Sequence, residues 1–95
     1  MTALWTVKSE TARPSLEEMQ AFVGGRIELV YLSNGDHLVI NEEGLLDNLP
    51  INTKASRIWW DDLGIDRRDV PVMFYDSTLP PPLVGNVILV EGGLD

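Results

Sequence analysis

The chain holds one histidine and no cysteine, so a search for chemistry starts from His37 and the carboxylates. Ser33, Asp36 and His37 are the residue types of a Ser-His-Asp relay. Their spacing argues against one. All three lie in or beside a two-residue turn, where nucleophile, base and orienting group cannot take the separate positions the mechanism needs. His37 reads instead as an edge imidazole beside Leu32, and a closed zinc site would need several histidines or cysteines.

Two acidic clusters, Glu42, Glu43 and Asp47, then Asp61, Asp62, Asp66 and Asp69, carry oxygen ligands of the kind that hold Mg2+ or Ca2+. Neither alternates acids around a central glycine as an EF-hand loop does, and Asp61 and Asp62, as helix neighbours, point in different directions. They read as solvated helix ends and turns. Two carboxylates working on a glycosidic bond need a cleft, for which so short a chain has little material. Gly24-Gly25 follows a helix and precedes a strand, the reverse of a phosphate-cradling loop. The expectation is a non-catalytic protein without metal or cofactor.

Recognition is then the chemistry left. Trp5, Trp59, Trp60, Phe74 and Tyr75 are candidate interface anchors, because aromatic side chains supply contact area at low entropic cost. Trp60 is the expected exposed aromatic, rimmed by Asp61, Asp62, Asp66 and Asp69. An alternative anion-binding set is Arg57, Arg67 and Arg68, able to neutralise phosphate if they converge. The Pro80–Pro82 run reads as a stiff connector, with docking into a partner's aromatic groove as the other option.

The elements that must position these residues centre on 25–42, a β-hairpin. Arg26 to Leu32 and His37 to Asn41 alternate, and Asn34-Gly35 between them is the pair a two-residue type I′ turn requires. That turn predicts Tyr31 opposite Leu38, Leu29 opposite Ile40 and Glu28 opposite Asn41, with Ile27, Leu29 and Tyr31 facing the core. Before it, Ser15 and Glu18 form a capping box for a short helix that buries Leu16, Met19, Phe22 and Val23 and stops at Gly24-Gly25. After it, a second helix is predicted from an N-cap at Asn52 or Thr53 to Leu63, burying Ala55, Ile58, Trp59 and Leu63. Residues 3–8 and 70–75 read as short strands, and 84–91 as a strand apolar on both faces and hence inside the sheet. The fold class expected is α+β, a small mostly antiparallel sheet (hairpin 25–42 plus C-terminal strand 84–91) packed by two helices.

Ninety-five residues make one domain over 1–95, with an N-terminal arm over 1–14 and a proline-rich connector over 76–82. An apolar content of 44% supports a packed core. Seven basic residues against fifteen acidic ones leave a charge of −8, which disfavours direct nucleic-acid binding through phosphate contacts. The acid serves solubility or, on a sharper reading, occupies a basic site on a partner as a DNA mimic would. No leader-like or membrane-spanning run is evident, so a cytoplasmic protein off the membrane is expected.

VGG at 23–25 before a strand, NEEG at 41–44, LP at 49–50 followed by Asn52 and Ala55, and LVGNVILV at 83–90 together resemble a small phage- and plasmid-borne family known as domain of unknown function 3846. The resemblance spans roughly residues 16–90; the arm before Ser15 and the passage from Asp66 to Pro82 depart from it. It implies a phage or mobile-element origin and no reaction. The function expected is an accessory protein that binds and inhibits or redirects a host protein with a basic surface, in an anti-defence role. The alternative is a small-molecule binder that sequesters a nucleotide signal at an oligomer interface. An unpaired sheet edge would allow homo-oligomers.

Overall fold

A computed structural model describes residues 2–44, 47–64 and 82–94. The elements run β1 (Leu4–Val7), α1 (Leu16–Val23), β2 (Ile27–Tyr31), β3 (His37–Asn41), α2 (Thr53–Asp62) and β4 (Val87–Val90). The sheet order is β1-β4-β3-β2, with β1 parallel to β4 and the other neighbours antiparallel. The architecture is therefore α+β as the pattern predicted, with a mixed sheet. The strand expected over 70–75 and positions 65–81 generally lie outside the described residues.

Each helix forms where local chemistry starts and stops it. The Ser15 hydroxyl accepts the Glu18 N–H while the Glu18 carboxylate accepts the Ser15 N–H, both at 3.1 Å, so two otherwise unpaired amides at the α1 N-terminus are satisfied. Gly24 ends it at φ +86. The Asn52 side chain caps α2 by accepting the Ala55 N–H.

The sheet is covered on both faces. Strand alternation sends Val7, Val39, Ile88 and Val90 to the face packed by Met19 and Val23 of α1. Leu38 and Val87 go to the other, with Ala55 of α2. β4 lies between β1 and β3 with Val87, Ile88 and Val90 fully buried, as its two-sided apolarity implied. The regular strand is shorter than 84–91, because Gly85 turns at φ +73 and Val84 instead makes an isolated bridge to Ile51.

The hairpin forms in a different register from the predicted one. Tyr31 pairs with His37, Leu29 with Val39 and Ile27 with Asn41, one residue off. The cause is the loop. The Leu32 N–H donates to the Asp36 carbonyl at 2.9 Å and the Gly35 N–H to the Leu32 carbonyl at 3.1 Å, so the loop has three residues, 33–35. This is a tight turn followed by one left-handed residue. Gly35 takes that position at φ +94, and Asn34 does not have positive φ. The Asn34 side-chain oxygen Oδ1 instead accepts the Asp36 N–H at 3.0 Å.

The shift survives because both faces are covered. Ile27 and Leu29 meet the α1 cluster, whereas Tyr31 is 67% exposed at the outer edge. Asn41 is buried; its side-chain amide donates to the Val23 carbonyl at the end of α1 and its side-chain Oδ1 accepts the Glu43 N–H.

α2 is also rotated from expectation. Leu63 is 50% exposed and Trp60 only 5%. The buried residues are Ala55, Ser56 and Trp60, with Ile58 and Trp59 half-buried. Ser56 turns this arc inward, because its hydroxyl donates to the Leu83 carbonyl at 3.1 Å and accepts the Leu83 N–H at 2.9 Å. On α1, Leu16 likewise leaves the predicted apolar stripe and is exposed.

Candidate functional site

Trp60, the expected exposed aromatic, is 5% exposed and lies inside the fold. With Trp60 buried, no aromatic anchor is offered there, since an anchor must reach solvent before it can enter a partner's pocket. Asp61 is exposed and Asp62 half-buried. Asp66 and Asp69 lie outside the described residues, as do Arg67 and Arg68 of the alternative anion set. Arg57 is exposed on α2.

Asp62 does structural work. Its carboxylate accepts the Ser33 N–H at 3.1 Å and the Ser33 hydroxyl at 2.6 Å, joining residues 29 apart in the chain. A carboxylate holding two donors is a strong latch even near water. Asp62→Ala is expected to loosen the hairpin loop at a global cost of about 1 kcal/mol, with faster amide exchange at Ser33 and Gly35 as the readout. Unchanged exchange at Ser33 would show that the latch holds nothing.

The same accounting retires the Ser33, Asp36 and His37 relay. The Ser33 hydroxyl is spent on Asp62, and the Asp36 carboxylate accepts the Gly92 N–H at 2.9 Å and the Asn34 amide at 3.2 Å. His37 is 7% exposed. Its Nδ1 accepts the Leu94 N–H at 3.2 Å. Tyr31 meets the imidazole edge-on at 4.7 Å. The histidine thus fastens residues 92–94 to the hairpin, a role no pattern in the sequence signals. Gly93 completes the fastening: a Cβ there would come within 2.9 Å of the imidazole and 3.1 Å of the Gly35 carbonyl oxygen.

Among the described residues a cleft of about 420 Å3 lies where β1 meets the start of α2, lined by Thr2, Ala3, Leu4, Asn52, Thr53 and Lys54. Asn52 offers it nothing. Its amide donates to the Ala3 and Gly85 carbonyls at 3.0 and 2.8 Å and its oxygen is held by Ala55. Two hydroxyls and one ammonium remain, with no base beside a nucleophile.

The exterior is more distinctive than this cleft. Glu10, Glu17, Glu28, Glu42, Glu43 and Asp47 are exposed. Among the described residues the side-chain ion pair within 4 Å is Lys8–Glu91 at 3.5 Å. These six carboxylates therefore face water without a neutralising partner among the described residues. No described group of three or more His, Asp or Glu converges as a metal would require, and no described helix is long and apolar enough to cross a membrane.

No curated protein and no solved structure matches the chain at a significant level. A family model does match, over residues 5–93, nearly the whole length, from within β1 to beyond β4. The chain belongs to the family described as the domain of unknown function DUF3846.

Proposed function

We propose that the protein is a non-catalytic binding module of a phage or other mobile element, acting in the cytoplasm of its host by docking its acidic exterior on a basic surface of a host protein. The observation that carries this reading is the set of exposed carboxylates, unpaired among the described residues, on a chain of net charge −8. Such a surface accelerates encounter with a positive partner and gives the complex a strong salt dependence. The mobile-element setting comes from the resemblance noted above. The mode of contact differs from an aromatic anchor ringed by acids, since Trp60 is inside.

The test is capture from bacterial host lysate on immobilised protein, with the triple variant Glu42→Lys, Glu43→Lys, Asp47→Lys alongside the native chain. All three positions are exposed, so the variant retains the fold within about 0.5 kcal/mol per site. The expected result is a defined protein retained at low salt, released by about 0.5 M salt as screening shortens to a few ångströms, and absent from the variant's eluate. Equal capture by both chains, or retention indifferent to salt, would overturn the reading. A nucleotide panel in thermal-shift format separates the small-molecule alternative: a ligand of the native state raises the melting temperature, and loss of that rise in Arg57→Ala would favour the alternative.

A further inference from the structure

Among the described residues β2 is an edge strand, and the geometry identifies which of its backbone groups face outward. The Glu42 N–H donates to the Arg26 carbonyl at 2.8 Å and the Leu32 N–H to the Asp36 carbonyl at 2.9 Å. In an antiparallel pair, residues that bond the neighbour alternate with residues that do not. Arg26, Glu28, Val30 and Leu32 therefore point their backbone groups at β3, and Ile27, Leu29 and Tyr31 point theirs away. No described group bonds these three on the outer side. The strand carries little edge protection: its sequence IELVY has no proline and no lysine, its one charge is Glu28, and it pairs with β3 without a bulge.

We infer that this edge pairs with the β2 edge of a second copy of the chain, antiparallel across a two-fold axis at Leu29, joining the two copies' described four-stranded sheets into one. Self-pairing is what an isologous interface requires, and the strand is self-complementary in one register. With Leu29 opposite Leu29 of the second copy, Ile27 falls opposite Tyr31 in both directions. All three outward residues on each side are then paired, with about six backbone bonds across the axis. The exposed Tyr31 ring covers the half-buried Ile27 of the other copy, an aromatic on β-branched pairing that stabilises antiparallel sheets.

Neighbouring registers are worse. Centring on Glu28 sets two like charges directly opposite each other, and centring on Val30 leaves Ile27 without a partner. The other edge, β1, turns only Leu4 and Thr6 outward by the same alternation and offers a shorter ladder.

A ladder of five residues is smaller than a standard interface of about 1,200–2,000 Å2, and each copy brings a charge of −8. The dimer is accordingly weak, with a dissociation constant on the order of 10–100 µM, and it tightens as salt screens the repulsion. That sign is opposite to the one expected for docking on a basic partner, so the two proposals fail separately.

The test is sedimentation equilibrium from about 5 to 500 µM at low and high salt, with amide exchange followed by NMR at both ends of the range. The expected result is a monomer–dimer equilibrium favoured by salt, with exchange at Ile27, Leu29 and Tyr31 slowing at high concentration while Glu28 and Val30 hold steady. Tyr31→Lys, at a position already 67% exposed, is expected to weaken the dimer at least about tenfold while melting like the native chain. The amide readout on the native chain decides the matter even if that variant folds poorly. A monomer at every concentration, unaltered exchange at the three outward amides, or protection confined to another element would overturn the inference.

Discussion

Replacing Asn52 with alanine is expected to cost about 3 kcal/mol of folding stability, from about 1 kcal/mol for a lost N-cap and about 1–3 kcal/mol for buried polar groups left unpaired. Asn52 is 2% exposed, and its side chain joins the start of β1 through Ala3, the first turn of α2 through Ala55 and the turn before β4 through Gly85. Ala3 keeps a second donor in the Val87 N–H, so the groups stranded by the change are the Gly85 carbonyl and the Ala55 amide. Asn52→Asp sharpens the result. It retains the cap but replaces the two-proton donor with a charge that meets two carbonyl oxygens, so it is expected to be no more stable than alanine. Thr53→Ala, one residue on and exposed, should stay within about 0.5 kcal/mol. Urea denaturation at constant m-value measures all three. A loss below about 1 kcal/mol for Asn52→Ala would show that this junction is not shared by three elements.

A second large loss, about 3–4 kcal/mol, is expected for Ile88→Ala, within the range for large-to-small changes in a rigid core. Ile88 has no exposed surface, stands between Trp5 on β1 and Val39 on β3, and packs in the cluster with Met19 and Val23 of α1. Strands on both sides and a helix above leave little room for the surroundings to collapse into the space. Ile88→Val removes a single methylene and is expected to cost about 1 kcal/mol. The thermal midpoint of Ile88→Ala should fall by about 15–25 °C, at roughly 4–8 °C per kcal/mol for a domain of this size. A drop under about 5 °C would mean that the β4 centre is loosely packed.

Features fixed by neighbouring residues were legible before any coordinates. Ser15 with Glu18, Gly24 and Asn52 are helix signals whose partners lie within three or four positions, and each acts as its type suggests. β4 was placed inside the sheet by apolarity on both faces, a pattern that only two-sided cover tolerates. What escaped were choices made by distant contacts. Asn34-Gly35 suits either a two-residue or a three-residue loop. The longer loop is the one in which Asn34 holds the Asp36 amide and Asp62, far along the chain, holds Ser33.

The orientation of α2 was misjudged for a related reason. A periodicity of apolar residues gives no weight to Ser56, yet its hydroxyl closes two bonds with Leu83 and turns Trp60 inward. The candidate site fared accordingly, since the aromatic half of the patch depended on that orientation. The parallel pairing of β1 with β4 joins residues more than eighty apart and leaves no local trace.

The central place of β4 governs how this protein can be made. During synthesis β1 and the hairpin emerge early but have no common neighbour, because the strand that joins them is Val87–Val90. Until those residues leave the ribosome, the nascent chain holds two fragments with uncovered apolar sides, a condition that favours chaperone capture. Completion waits on contacts of very long sequence separation, which slows it. A stop codon upstream of Val87 would therefore yield a product cleared by proteases, not a shortened protein that retains part of its activity.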